Sequence, residues 1–250
     1  MIMKTVLITG GNKGIGLEIT KCFVENGYKV YVAARNFSDE LIFLGEKVEF
    51  IKTDVRNYDD VKNAVSYVIK TSGVLNCLVN NAGISEWKPI AEIDETFFEK
   101  LINTNLKGYF WGCKASSPVM TSGASIINIS SIAGKRGTAN NSMYCATKFG
   151  VNGLTQALAK ELGDRNIRVN ALCPVLIATE GLLDALKEKY APAYQGDPAQ
   201  FIKNFTDTNA ALKRMPTGKE VGEMCVFLAS EKSSAITGQC INVDCGVFPQ

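Results

Sequence analysis

Along this chain, short runs of β-branched and aliphatic residues alternate with longer stretches whose apolar positions recur every three to four residues. The runs at 5–9, 29–34, 48–52, 77–80, 125–130, 168–173 and 239–243 read as strands, being short and rich in Val, Ile and Leu. Helical periodicity covers 15–26, closed by Gly27, and a second helix starts at Asn57, with Asp60 three residues on, and carries Val61, Val65 and Val68. Asp94 is placed to cap a long helix through Leu101 and Leu106, and another helix spans 142–162. Thr217 and Glu220 form a capping box ahead of Val226 and Leu228. Strands and helices in this alternation predict an α/β chain: a doubly wound Rossmann fold, with a seven-stranded parallel sheet and helices on both faces.

The alternation breaks between Thr179 and Met215, where Pro192, Gly196 and Pro198 interrupt two helical pieces, 182–190 and 199–211. Residues 180–211 are therefore expected to form a lid-like insertion over the substrate side of a single domain spanning 1–250. No repeat, low-complexity tract or linker divides the chain.

Composition narrows the chemistry. The 27 basic and 25 acidic residues leave a net charge of +2 with no Lys/Arg run, so neither nucleic acid nor a membrane surface is an expected partner. Apolar stretches fall short of the ~20 residues of a bilayer span. Residues 1–4 lead straight into a strand without the charged, apolar and small-residue regions of a leader, so a cytoplasmic location is expected. The eight cysteines are scattered and form no Cys-x-x-Cys pair, which reads as reduced packing thiols. With no histidine in the chain, Ser-His-Asp and Cys-His catalysis and a histidine-ligated zinc are excluded. Any acid–base group is a carboxylate, Lys, Tyr or Cys.

Two constellations stand out. The first strand runs into Gly10-Gly11-Asn12-Lys13-Gly14-Ile15-Gly16 and then a helix. Glycines there let the backbone approach a pyrophosphate, and the helix start offers free N–H groups. Strand 2 ends in Ala34-Arg35, without the acid that would bond a free adenosine ribose, and Arg35 with Lys13 suits a 2′-phosphate. NADP(H) is thus the expected cofactor, with NAD(H) the alternative.

The second constellation is Tyr144 with Lys148, four residues apart on one helix face. A neighbouring ammonium and a positive oxidised nicotinamide lower a phenol's pKa, so Tyr144 can exchange a proton with a carbonyl or alcohol oxygen. The same spacing occurs at Tyr58 and Lys62, but only Tyr144 has Ser131 upstream, at a strand C-terminus where such sheets place ligands. Ser131 is the candidate to stabilise charge on the substrate oxygen, with Ser130 on the opposite strand face. Asn105 sits in mid-helix against its propensity. Cys145 reads as a packing thiol, and Arg136 and Trp87 as ordinary surface and loop residues.

Gly10-x-x-x-Gly14-x-Gly16, Asp54-Val55, Asn80-Asn81-Ala82-Gly83, Asn105, Ser131, Tyr144-x-x-x-Lys148, Pro174 with Thr179, and 238–246 occur in that order. The chain thereby resembles the short-chain dehydrogenase/reductases over essentially its whole length, with Asn12-Lys13 and Ala34-Arg35 similar to the NADPH-preferring carbonyl reductases among them. The resemblance implies that Asp54 bonds the adenine amino group and Val55 flanks the ring. It implies that Asn81, Ala82 and Gly83 line the adenosine side, and that Pro174, the Ile177 backbone and Thr179 hold the nicotinamide end. It further implies that Lys148 bonds the ribose, that Asn105 holds a water linking Lys148 to solvent, and that the assembly is a homotetramer or homodimer. Two positions depart from the family pattern: Val175 follows Pro174 and Cys245 follows Asp244, where glycines are usual.

Substrate contacts are expected from 85–87, 133–143 and the insertion, whose length favours a compact polar molecule. Three functions compete: reduction of a small ketone, aldehyde or keto-sugar; oxidation of a sugar or polyol; and non-catalytic dinucleotide sensing, which leaves Tyr144 without a purpose.

Overall fold

A computed structural model describes residues 3–249. Its seven strands are β1 (Thr5–Thr9), β2 (Lys29–Ala34), β3 (Val48–Lys52), β4 (Cys77–Asn80), β5 (Ser125–Ile129), β6 (Arg168–Pro174) and β7 (Cys240–Val243). They pair in the order β3-β2-β1-β4-β5-β6-β7, all parallel, in one sheet. Helices α1 (Gly14–Glu25), α2 (Tyr58–Ser72), α3 (Glu95–Ile102), α4 (Gly108–Ser116), α5 (Ser142–Glu161), α6 (Glu180–Ala185), α7 (Pro198–Asn209) and α8 (Gly218–Ala229) complete the chain.

Strand alternation divides the core. Val6, Ile8, Val30, Val32, Val79 and Ile127 face one way, against Leu17 and Phe23 of α1 and Val221 and Leu228 of α8. Leu7, Tyr31, Leu78, Ile126 and Val169 face the other way, against Val61 and Val65 of α2, Cys113 of α4 and Ala159 of α5. Both faces are therefore dry, which is why these strands read as unbroken apolar runs rather than alternating ones. At ~25 cal/mol per Å² of apolar area, each fully buried Leu or Ile contributes about 1.5–3 kcal/mol.

The predicted strands match to within a residue, and the caps form. Asp94 accepts from Phe97 N, and the Thr217/Glu220 capping box is complete. Asn57 also caps, but its side chain accepts from Asp59 N, while Asp60 bonds the backbone of Asp54. Two helices depart from expectation. The helix after Asp94 runs on through Leu101 and Leu106 as expected, but it carries a π turn over Asn103–Lys107 between α3 and α4. The first helical piece of the insertion stops at Ala185 rather than Tyr190. Tyr190 itself takes φ 73°, and Pro192 disfavours helical backbone in the residue before it.

Candidate active site

The turn after β1 is shaped by close approach. A β-carbon at Gly16 would stand 2.1 Å from the Gly10 carbonyl oxygen, and one at Gly10 would stand 2.9 Å from the Ala82 Cα. From the end of β4, Asn81 Nδ2 donates to the carbonyls of Thr9 and Gly10 at 3.1 and 3.0 Å. The N–H groups of Asn81 and Ala82 donate in turn to Thr9 Oγ1, at 3.0 and 3.1 Å. Asn12 Nδ2 donates to the Asn36 carbonyl at 3.0 Å, tying the turn to the loop that carries Arg35.

No side chain caps α1 after Lys13, and its first turn, from Gly14 and Ile15, holds no acid. Its leading N–H groups and partial positive charge are thus free for an anion, and with the glycine cradle this arrangement fits a dinucleotide pyrophosphate. Lys13 and Arg35 are both exposed beside it. Across the cleft, the Thr179 methyl lies 3.7 Å from where a Gly14 β-carbon would be, so the two predicted ends of the site adjoin.

Beyond β3, Val55 is buried against Gly108, and Asp54 is engaged by Arg56. The Arg56 guanidinium donates to the carboxylate at 2.6–3.0 Å and its backbone N–H does so at 3.0 Å, holding Asp54 below its ordinary pKa. Arg56 belongs to no motif named above; its spacing of two from Asp54 is the available signal. At the other end, Pro174 closes β6 and Ile177 is buried. Thr179 N donates to the Ile177 carbonyl at 2.7 Å, while Thr179 Oγ1 accepts from Leu182 N at 3.3 Å as the cap of α6.

Ser131, Tyr144, Lys148 and Asn105 come together where β5 ends and α5 begins. Lys148 Nζ lies 5.7 Å from the centre of the Tyr144 ring. It donates to the Ile129 carbonyl at 2.8 Å and to Tyr109 Oη at 3.2 Å. Ser131 Oγ caps the short turn that follows by accepting from Ala133 N at 3.1 Å, and its hydroxyl also favours the Tyr144 phenolate. Ser130 is turned away and bonds the Lys148 carbonyl at 3.3 Å. Tyr58 and Lys62 have no part in this cluster, since Tyr58 packs on Trp111 at 5.0 Å.

Desolvation acts on both titrating groups. It pushes Tyr144 up to about 12 against the opposing Ser131 hydroxyl, and it pushes the Lys148 ammonium down to about 7. Asn105 is fully buried, and its Oδ1 accepts from Ile84 N at 2.9 Å while its Nδ2 donates to the Ile84 carbonyl at 2.8 Å. The side chain thereby pins the loop that follows Gly83, and its remaining N–H faces Thr147 Oγ1 at 3.5 Å.

The ground beneath the insertion is apolar: Ile132, Val175, Ala210 and Val247 are buried together, with Leu176, Phe205 and Met215 against them. Val175 packs into this cluster. Val247, near the C-terminus, also docks here on its own chain. Cys245 takes φ 53°, the left-handed region that a glycine would occupy without strain. Arg136 lies over the Phe248 ring at 5.4 Å, Trp87 is half-buried, and Cys145 is buried. All eight cysteines are free thiols, with burial pushing Cys22 and Cys173 up to about 11 and Cys113 to about 12.

An open parallel sheet with a glycine-lined turn after its first strand, and half-buried Tyr144 and Ser131 beside buried Lys148 at its C-terminal edge, defines a doubly wound dinucleotide-binding fold. The profile of the Enoyl-(Acyl carrier protein) reductase family matches residues 10–248. The 3-oxoacyl-(acyl-carrier-protein) reductase FabG of Chlamydia muridarum is 36% identical over 262 residues, covering 99% of this chain and 98% of the relative. The (S)-acetoin-forming diacetyl reductase of Staphylococcus aureus is 37% identical over 253 residues, covering 98% and 97%. The structure of a single-substitution variant of actinorhodin polyketide ketoreductase with NADPH superposes with a TM-score of 0.89 at 30% identity, covering 98% and 97%. The chain belongs to the short-chain dehydrogenase/reductase family of oxidoreductases, which use a nicotinamide dinucleotide.

Proposed function

We propose that the protein is an NADPH-linked reductase of a small ketone or aldehyde, with Tyr144 as the proton donor. The observation that carries this reading is the placement of the half-buried Tyr144 ring 5.7 Å from Lys148 Nζ and beside Ser131. A phenol held near 12 is fully protonated at neutral pH and ready to give its proton to a substrate oxygen, as reduction requires. Ser131 stabilises the charge that develops on that oxygen, and Lys148 supplies the positive charge that supports a transient phenolate.

The cofactor supplies the hydride when bound. The turn from Gly10 through Asn12, Gly14, Ile15 and Gly16 holds its pyrophosphate, and Lys13 and Arg35 hold its 2′-phosphate. Asp54, Val55, Asn81, Ala82 and Gly83 form the adenosine side, and Pro174, Ile177 and Thr179 position the nicotinamide end. Lys148 and Tyr144 face the ribose. The NADPH bound by the ketoreductase neighbour supports this choice. The substrate class proposed is a ketone carrying short apolar flanks, in place of a compact polar molecule. The names of the curated relatives, a 3-oxoacyl and a diacetyl reductase, point the same way.

The test is titration with NADPH and NADH, followed by a panel of diketones, β-ketothioesters, aldehydes and keto-sugars read at the NADPH absorbance band. Tighter NADPH binding and turnover of small ketones are expected. Tighter NADH binding, or turnover confined to sugars and polyols in the oxidative direction, would overturn the proposal.

A further inference from the structure

Tyr109 is the first residue but one of α4 and is 1% exposed, yet it carries a hydroxyl in the deepest part of the site. A buried hydroxyl without partners is costly, and this one is bonded on both sides. It donates to the Ile129 carbonyl at 2.8 Å and accepts from Lys148 Nζ at 3.2 Å, while Lys148 donates to that same carbonyl at 2.8 Å. Oη, Nζ and the carbonyl oxygen form a closed triangle at the end of β5, two residues before Ser131. The lysine also lies 4.9 Å from the centre of the Tyr109 ring, closer than to that of Tyr144.

We infer that Tyr109 is a positioning residue for the proposed reaction, fixing the aim of Lys148 and sustaining its ammonium form through an oxygen and a ring face that both favour the cation. This rests on the reading of Lys148 as the cation that supports Tyr144. The titratable groups facing Lys148 are Tyr109 from α4, Tyr144 one turn earlier on α5, and Cys173 from β6. No carboxylate is among the groups acting on it within the described residues. Burial disfavours the ammonium, so the two acceptors it does have weigh heavily.

The π turn explains how a tyrosine reaches this place. Asn105 in the turn holds the Ile84 backbone, and four residues later Tyr109 faces the end of β5. One segment thereby serves both the cofactor loop and the lysine.

Removing the hydroxyl takes away one acceptor from Nζ and one donor from the Ile129 carbonyl. The ammonium is then less well supported, and its pKa falls. In Tyr109→Phe, kcat of ketone reduction is expected to drop about three- to tenfold at pH 7, and the alkaline limb of its pH profile to move to lower pH. KM for the ketone and cofactor affinity should change less than about threefold. A thermal melt reports folding. Should the phenylalanine variant melt below the assay temperature, 3-fluorotyrosine at position 109 keeps the shape while weakening the oxygen as an acceptor, and shifts the same limb in the same direction. A folded Tyr109 variant with an unmoved alkaline limb and wild-type kcat overturns the inference, even if Tyr144→Phe is inactive. Full activity in Lys148→Met would instead overturn the reading on which the inference rests.

Discussion

The side-chain nitrogen of Lys148 stands 5.7 Å from the centre of the Tyr144 ring, and burial moves both groups toward their neutral forms. A site of this kind is maintained at a cost to the fold, since an amine that is easily charged in water is held where charge is poorly solvated.

That cost has a sign and a pH window. Lys148 titrates near 7 in the folded protein, against 10.5 when unperturbed. Between these values the unfolded chain holds a proton that the folded chain has shed, so this group makes stability rise with pH. Below about 7 the folded state carries the buried ammonium and the full penalty. Lys148→Met should therefore be inactive yet melt higher than wild type at pH 6.5, by at least about 2 °C, with the gain vanishing toward pH 10. Melting curves of both proteins across that range decide it; a lower melting point at pH 6.5 would show that the ammonium stabilises the fold.

Cofactor choice is the second prediction. Ala34 ends β2 at 8% exposure, beside the exposed Arg35. In Ala34→Asp the new carboxylate repels a 2′-phosphate and accepts bonds from a free ribose hydroxyl. NADPH affinity should fall and NADH affinity rise, each by about tenfold or more, measured by quenching of protein fluorescence. Unchanged selectivity would remove Lys13 and Arg35 from the account.

Assembly is the third. Phe98 of α3, Phe110 of α4 and Phe149 of α5 are each 46–48% exposed, whereas the terminal Val247 is already covered within its own chain. Helices that cover one sheet face need one apolar stripe, so these surplus rings support a proposed helix-to-helix contact between copies. Light scattering at micromolar concentration should give a mass near four times 27.1 kDa, and Phe149→Glu should lower it. A monomer mass for the wild type would reject the assembly.

Much of this molecule is legible in its sequence, and the exceptions share a cause. Strand limits from Thr5 to Val243 follow from β-branched runs because both sheet faces are buried. The turn from Gly10 to Gly16 is legible because close approach at Gly10 and Gly16 and a positive φ at Gly14 call for glycine. The π turn at Asn105 is not, since a one-residue widening leaves helical periodicity almost intact, although an Asn in mid-helix is the trace of it. Tyr109 escapes notice because a tyrosine on a buried helix face looks like packing, and its hydrogen bonds join residues 20 and 39 positions away. Spacing reveals Lys148 beside Tyr144 but not the desolvation that acts on both groups.

In the proposed reaction the Tyr144 hydroxyl delivers the proton. The most direct test is the turnover of Tyr144→Phe on any ketone that the wild type accepts, with NADPH affinity measured in parallel. The variant should fold and bind cofactor within about threefold of wild type, while kcat falls by about 10²–10⁴. A kcat near that of the wild type would contradict the account.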